Sequence, residues 1–185
     1  MTESTAKRIV NAAMTEFCEC GYFATDSNKI ARRAGFAPQT FYRWFQDKTE
    51  VFLAAYKQWS DHEIQLLAML PLGTLSSEQI IDIVVRHHRE YLLFRRSLRQ
   101  LSVEHPAVRQ ARAENRLQQL AFFQSRLEHG ENNKAEIATT MLQIERLADA
   151  LAEDEFVDLG VQENDVRLTM KNLVKRLINP AQQQK

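Results

Sequence analysis

A short segment at residues 38–45, PQTFYRWF, combines side chains that can read and hold DNA. The amide of Gln39 can pair with adenine through two hydrogen bonds, and the guanidinium of Arg43 can pair with guanine in the same way. Hydroxyl groups in the same segment can reach phosphate oxygens. On a helix, Phe41 and Phe45 lie one turn apart, so both rings should face inward and leave the polar side chains outside. The segment therefore predicts a helix with one polar face suited to the major groove.

The preceding residues predict the two helices that such a segment needs. Apolar residues recur at helical intervals over residues 6–20, and a glycine then ends that helix. Asp26 is a typical N-cap for a second helix, and Gly35 is a typical left-handed stop after it. Pro38 suits the first turn of a third helix, which we expect to run to about Phe45. Three short helices with a glycine-containing turn are the geometry that places an exposed helix in a major groove.

Longer helices are predicted after this point. Asp47 can cap a fourth helix that begins near Lys48 and ends before Pro71. Ser76 and Gln79 then form the sequence pattern of a capping box, in which each side chain bonds to the other residue's backbone N–H. The change from short to long helices indicates a compact head on a larger bundle.

The fold class follows from this succession of helices. A restart near Phe94, a helix from Pro106 to Gly130 and two final helices complete the chain, with no credible strand pair. We expect an all-α protein of about nine helices, with a three-helix helix-turn-helix head and a larger C-terminal helical bundle. The expected division is residues 1–47 for DNA binding, 48–180 for effector binding and dimerisation, and 181–185 for a disordered tail.

Composition limits the function classes. The chain has 24 basic and 24 acidic residues, so a DNA-binding face must concentrate its positive charge locally. No signal peptide is recognisable and the longest apolar run, VFLAAY, is too short to span a bilayer, so a cytoplasmic protein without a membrane partner is expected. Motifs of helical metalloenzymes, phosphate loops and nucleophile elbows are missing from the sequence, so we expect no enzyme, cofactor or metal.

The segment from Ala6 to about Tyr56 resembles the DNA-binding domain of the TetR family of bacterial transcriptional repressors. The resemblance rests on the order and spacing of CGYFATD, KIARRAGF, TFYRWF and DKTEVF. It implies an all-α homodimer that binds a palindromic operator and responds to a small molecule in its C-terminal domain. The resemblance also assigns roles. Bases would be read by Asn28, Gln39 and Arg43, and phosphates would be held by Ser27, Thr40, Tyr42, Trp44 and Lys48.

Three positions depart from the family pattern. Ala37 stands where the family usually has Ser or Thr, so the third helix lacks a side-chain N-cap. Asp26 replaces a common Thr and places a carboxylate near the expected phosphate, which should weaken nonspecific attraction to DNA. Gln39 stands where many members carry Gly, so the operator sequence cannot be carried over from relatives.

The last two helices carry apolar stripes with charged flanks, which suit packing on a partner helix. In the family, these helices commonly form the dimer interface as a four-helix bundle. The alternative is that the same stripes face the protomer's own core. The predicted interface residues are Met141, Ile144, Ala148, Leu151, Val166, Met170, Leu173 and Leu177.

An effector pocket is harder to derive from the sequence. Aromatic and basic residues of the bundle could line a cavity for a small molecule, although aromatics at helical spacing are more often core and charge runs more often solvated. The candidates are Trp59, His62, His88, Tyr91, Arg95 and Phe122. A second hypothesis also remains open, in which the bundle binds a protein partner or only dimerises and takes no small effector.

Overall fold

The computed structural model describes residues 3–72, 74–126 and 134–178, and in these residues it contains ten helices and no strand. The described residues thus confirm the all-α class. The helices are α1 (Thr5–Cys20), α2 (Ser27–Arg33), α3 (Pro38–Tyr42), α4 (Lys48–Met69), α5 (Ser77–Glu90), α6 (Leu92–Glu104), α7 (Pro106–Arg126), α8 (Lys134–Ala152), α9 (Glu155–Asp158) and α10 (Glu163–Ile178). None of the described helices is long and apolar enough to cross a membrane.

The predicted caps set the bounds of the first helices. Gly21 ends α1 with φ 75°, a value that favours glycine. The carboxylate of Asp26 accepts the Lys29 N–H at 2.8 Å and so opens α2. Gly35 has φ 78° and ends α2, where the Phe36 N–H donates to the Ala31 carbonyl. The capping box before α5 is also present.

The helix α3 is shorter than predicted, because it ends at Tyr42 rather than near Phe45. Trp44 and Phe45 both donate their N–H groups to the Phe41 carbonyl, which tightens the backbone into a turn. The turn redirects the chain into α4, whose first turn is capped by Asp47. At the other end of α3, no side chain caps the helix and proline occupies its first turn, as expected.

The chain forms two compact units. The first comprises residues 1–65 and 93–115, and the second comprises residues 66–92 and 116–185. In the first unit, the Phe52 ring lies 5.1 Å from that of Phe17 and 5.3 Å from that of Phe94, centroid to centroid. The unit that holds the helix-turn-helix therefore extends beyond the predicted boundary at residue 47, since α4 and α6 contribute to its core.

The second unit has its own core, built mainly by α5, α8 and α10. This core changes the interpretation of the predicted dimer stripe. Seven of its eight residues are buried within the unit, and the eighth, Met141, packs partly buried against the same core. The buried seven are Ile144, Ala148, Leu151, Val166, Met170, Leu173 and Leu177. A side chain that is buried in its own protomer offers no surface to a partner. These seven residues are therefore core residues of the second unit, and not the dimer interface that the sequence predicted.

The segment between α8 and α10 contains a short helix that the sequence did not predict. Asp154 adopts a left-handed conformation with φ 58° immediately before α9, and Gly160 with φ 69° follows it. The single turn of α9 raises the number of described helices to ten. The predicted helix end at Gly130 and the predicted tail at residues 181–185 lie outside the described residues.

Candidate nucleic-acid interface

The outer side of α3 carries the predicted base-reading residues. Gln39 and Arg43 are exposed, whereas the Phe41 side chain is fully buried and Phe45 is nearly so. The rings of Phe41 and Phe45 lie 5.7 Å apart, centroid to centroid, and anchor the segment from inside. Pro38 and the buried aromatics thus orient the helix, and its polar face is left in solvent.

Two large aromatics extend this exposed surface. Tyr42 is 58% exposed and Trp44 is 51% exposed, which is unusual for side chains of this size. The Tyr42 ring packs edge to face on the buried Phe41 ring at 5.3 Å, centroid to centroid. This contact orients the exposed Tyr42 side chain. Thr40 is half-buried beside them. The predicted phosphate contacts from α3 therefore share one exposed surface with Gln39 and Arg43.

At the start of α2, the Asp26 carboxylate accepts a backbone N–H to which a bound anion could otherwise hydrogen-bond. Asn28 is exposed and Ser27 is half-buried. The backbone N–H of Lys29 lowers the pKa of the Asp26 carboxyl, with a smaller contribution from the Asn28 N–H. The carboxylate of Asp26 thus satisfies the helix end that would otherwise suit a phosphate. The predicted DNA contacts from the Ser27 and Asn28 side chains lie beside this carboxylate.

Lys48 has a structural role that the sequence did not reveal. Its ammonium group donates to the carbonyls of Tyr22 at 2.7 Å and Thr25 at 2.8 Å, and it lies 4.1 Å from the centre of the Tyr22 ring. Burial lowers the pKa of Lys48, although the charge of Asp26 acts in the opposite direction. Two of its three N–H donors are therefore used inside the protein, which leaves one for a phosphate.

Arg8 is a second structural cation that sequence reasoning missed. Its guanidinium donates to the Ala34 carbonyl at 2.8 Å and lies 4.4 Å from the centre of the Phe36 ring. This contact satisfies a carbonyl at the end of α2, next to the turn that leads to α3. A Cβ atom at Gly35 would lie 3.1 Å from the same guanidinium, so the position has little room for a side chain.

A buried acid also fixes α2 on α1. Glu16 accepts the Thr25 hydroxyl at 2.7 Å and the Arg33 Nε–H at 2.6 Å, and Arg33 also pairs with Glu19. Burial tends to raise the pKa of Glu16, but the Thr25 and Arg33 hydrogen bonds outweigh it and the pKa is lowered. The Arg33 guanidinium is thereby paired with two carboxylates of α1.

The predicted effector residues divide between the two units. Trp59, His62 and Arg95 lie in the first unit, where Trp59 packs edge to face on Phe94 at 5.5 Å. His62 is exposed. Trp59 is therefore a member of an aromatic core, as the alternative interpretation predicted.

The other three candidates, His88, Tyr91 and Phe122, lie in the second unit. Buried His88 hydrogen-bonds through Nδ1 to the carboxylate of Asp149 at 2.8 Å. Phe122 packs partly buried against the core of this unit. His88 faces inward, but it meets a protein carboxylate there.

The family of the N-terminal domain is identified by comparison with known proteins. Residues 9–55 match the family described as bacterial regulatory proteins, tetR family. The matched range covers most of α1, all of α2 and α3 and the beginning of α4, and so includes every predicted DNA contact from Ser27 to Lys48. Residues 9–55 are therefore similar to the N-terminal helix-turn-helix domain of the TetR family of bacterial regulatory proteins.

Solved structures show the same fold over nearly the whole chain. GusR of Salmonella enterica is 17% identical, with a TM-score of 0.71 over 96% of this chain and 98% of that one. The transcriptional regulator FadR from Bacillus subtilis, solved with stearoyl-CoA, is 17% identical, with a TM-score of 0.64 over 94% and 97%. The multidrug binding protein EbrR, solved with proflavin, is 16% identical, with a TM-score of 0.66 over 92% and 99%. Among curated proteins, none matches the chain significantly.

Proposed function

We propose that the protein is a homodimeric transcriptional repressor that binds a palindromic operator through α3 and releases it when a small molecule binds. The observation that carries the proposal is the exposed polar side of α3, with Gln39 and Arg43 outside and Phe41 buried beneath them. Its site of action would be the cytoplasm, where bacterial DNA lies. A regulator of this kind needs two copies of α3, spaced by about one turn of DNA.

The proposed contacts divide into two groups. Gln39, Arg43 and Asn28 are exposed and long enough to reach base edges in a major groove. The groups that would hold phosphates are Ser27, Thr40, Tyr42, Trp44 and the remaining N–H of Lys48. Lys29 and Arg32, both on α2, would add positive charge to the helix-turn-helix and so contribute to the local charge that phosphate binding requires.

Dimerisation is proposed through the outer faces of α8 and α10, rather than through the buried stripe. Leu142 of α8 is 40% exposed and Leu168 of α10 is 63% exposed. Both helices turn their other faces into the core of the second unit, so these leucines are available to a second copy. Two such helices from each protomer would pack as a four-helix bundle.

An effector is proposed on the strength of two structural relatives. FadR from Bacillus subtilis was solved with stearoyl-CoA and EbrR with proflavin, both bound to proteins with this fold. Binding would shift α4, which begins at Lys48 beside the head, and so change the separation of the two copies of α3. The competing proposal has a bundle that binds a protein or only dimerises, and it is supported by buried His88, whose Nδ1 hydrogen-bonds to the Asp149 carboxylate of the same unit.

The experiment that tests the DNA-binding surface compares two arginine variants. Arg43→Ala should weaken binding to the operator by about tenfold to a hundredfold, while binding to random duplex changes little. Arg109→Ala is the matched control, because Arg109 is also exposed but lies on α7. The operator is first recovered by selecting genomic fragments with the purified protein, and affinities are then measured by fluorescence anisotropy. Equal losses for both variants would contradict the proposed role of Arg43.

A further inference from the structure

The turn between α1 and α2, residues 21–26, is held by a hydrogen bond from α6. The buried N–H of Tyr22 donates to the hydroxyl oxygen of Ser97 at 2.9 Å. The Ser97 hydroxyl in turn donates to the Leu93 carbonyl at 2.7 Å, which fixes its orientation. Gly21 lies beside the same contact, and its φ of 75° is a conformation that favours glycine. A Cβ atom there would lie 3.4 Å from the Ser97 oxygen and 3.9 Å from Leu93.

Tyr22 is held from α4 as well. Its carbonyl accepts the Lys48 ammonium at 2.7 Å, and its hydroxyl shares a hydrogen bond of 2.8 Å with the Thr49 hydroxyl. Its ring meets Phe52 edge to face at 5.5 Å. The backbone and side chain of one residue are therefore fixed by two helices that lie outside the helix-turn-helix itself.

The same turn decides where α2 begins. The backbone carbonyl of Thr25 also accepts a hydrogen bond from the Lys48 ammonium. The side-chain hydroxyl of Thr25 donates to the carboxylate of Glu16 in α1. Asp26 follows directly and caps α2, whose first residues are Ser27 and Asn28. A displacement of the turn would therefore move the start of α2 and the Lys48 ammonium together.

We propose that Ser97 is a positioning residue for DNA binding, which acts through the Tyr22 amide and the turn that starts α2. The inference rests on the proposed DNA-binding function and deepens it. Without the hydroxyl, the Tyr22 N–H stays buried without its acceptor, and the turn must relax to satisfy it. DNA then has to restore the position of α2 at the expense of binding free energy. Gln39 and Arg43 on α3 are not part of this contact, so discrimination between sequences is kept.

The test is the variant Ser97→Ala, measured well below its melting temperature. We expect operator and random duplex of equal length to bind about five to ten times more weakly, the factor expected from one unsatisfied buried amide. The ratio between the two affinities should stay at the wild-type value. A purely structural role would lower the melting temperature without changing the DNA affinity of the folded protein.

A matched control is available on the same helix. The Ser102 hydroxyl donates to the Leu98 carbonyl at 2.5 Å, so Ser102→Ala loses the same kind of intrahelical bond. We expect Ser102→Ala to bind DNA as the wild type does. Ser97→Cys keeps the side-chain volume and a weak acceptor, so it should show a smaller loss than Ser97→Ala. It also provides the measurement if the alanine variant fails to fold.

The possible outcomes separate the two proposals. Equal DNA affinities for Ser97→Ala, Ser97→Cys and Ser102→Ala, in a protein that binds DNA normally, would overturn the role of Ser97. Failure of the wild type to bind any duplex would overturn the proposed function instead. Hydrogen exchange gives an independent readout, since the Tyr22 amide should lose protection in Ser97→Ala and keep it in Ser102→Ala.

Discussion

Asp26 satisfies the amides that open α2 and also places a negative charge beside the proposed phosphate contacts. Its carboxylate accepts the Lys29 N–H at 2.8 Å, and this hydrogen bond lowers its pKa, so the group is ionised at neutral pH. The Asp26 side chain thus stabilises α2, while its negative charge should weaken the binding of DNA phosphates. The two effects can be separated, because an asparagine caps a helix as well as an aspartate does but carries no charge.

The variant Asp26→Asn should therefore bind DNA more tightly, by about threefold on both operator and random duplex, as expected for one screened charge. Its melting temperature should change little. Asp165→Asn, which removes the same charge from an exposed position on α10, is the control and should leave affinity unchanged. Anisotropy titrations at two salt concentrations make the comparison. No gain in affinity for Asp26→Asn would place this carboxylate away from the bound phosphates.

Lys48 illustrates how a single cation can act in two ways. If its remaining N–H contacts a phosphate, Lys48→Ala should weaken binding to all sequences and reduce the slope of log K against log salt by about one. If it acts only through the Tyr22 and Thr25 carbonyls, affinity should fall while the slope is unchanged. We expect the reduced slope. The measurement is a salt titration of wild type and variant on random duplex.

At the scale of helices, an ion-pair network joins α5 to α10. Glu163 accepts from Arg89 of α5 at 2.7 Å and from Arg167 at 2.8 Å, and Arg167 also pairs with Asp82. Lys171 pairs with Glu78 nearby. The Arg89 hydrogen bond, followed by that of Arg167, lowers the pKa of Glu163. The network supports the same pair of helices that bury Val85 and Met170 in the core.

This network predicts a specific dependence of stability on pH. A carboxyl whose pKa is lowered by folding stabilises the protein above its unfolded pKa, and that contribution is lost as pH falls through the folded value. Glu163→Gln should lower the free energy of unfolding by about 0.5–1 kcal/mol at pH 7, a small amount because the groups are partly exposed to solvent. Its deficit relative to wild type should shrink as the pH falls from the ordinary range of a glutamate through the lowered pKa of folded Glu163, because the group is protonated in both states only below that lowered pKa. Urea titrations across pH 3–7 test this, with Glu136→Gln on α8 as the control.

The success of the sequence interpretation differed between local and distant contacts. Asp26, Gly35 and the capping box at Ser76 act within a few residues of their own helix ends, and all three were predicted correctly. The contacts of Arg8 with Ala34 and of Lys48 with Tyr22 each join residues 26 positions apart. No local pattern encodes such a meeting, because it depends on how α1, α2 and α4 pack.

The buried stripe on α8 and α10 shows a second limit. An apolar stripe predicts that one helix face packs on another helix, but it does not say whether that helix belongs to the same protomer. Ile144 and Met170 are core residues. The exposed Leu142 and Leu168 lie among polar residues on the outer faces of α8 and α10, and the sequence pattern did not indicate them as interface residues. The short α9 was missed for a related reason, since a four-residue helix has no periodicity to detect.

At the scale of the whole molecule, the proposed dimer depends on those outer leucines. Leu168→Glu should convert the dimer to a monomer while helix content stays the same, because the side chain is exposed in the protomer and a buried carboxylate would oppose association. Operator affinity should fall with it, since two half-sites would no longer be bound together.

Light scattering after size-exclusion chromatography and circular dichroism provide the measurements. Val103→Glu is the matched control, because Val103 is an apolar residue that is 89% exposed in the first unit. A core variant distinguishes folding from assembly, since Met170→Ala should cost about 2–5 kcal/mol of unfolding free energy. A Leu168→Glu protein that stays dimeric would exclude this face as the interface.

The two tryptophans of the chain differ sharply in their surroundings. Trp44, two residues after α3, is about half exposed to solvent, whereas Trp59 is buried among aromatic rings. Intrinsic fluorescence should consequently contain a red-shifted part that iodide quenches and a blue-shifted part that it does not. Docking on a duplex should shield the quenchable part alone, so the unlabelled protein carries its own optical signal for occupancy of the recognition surface.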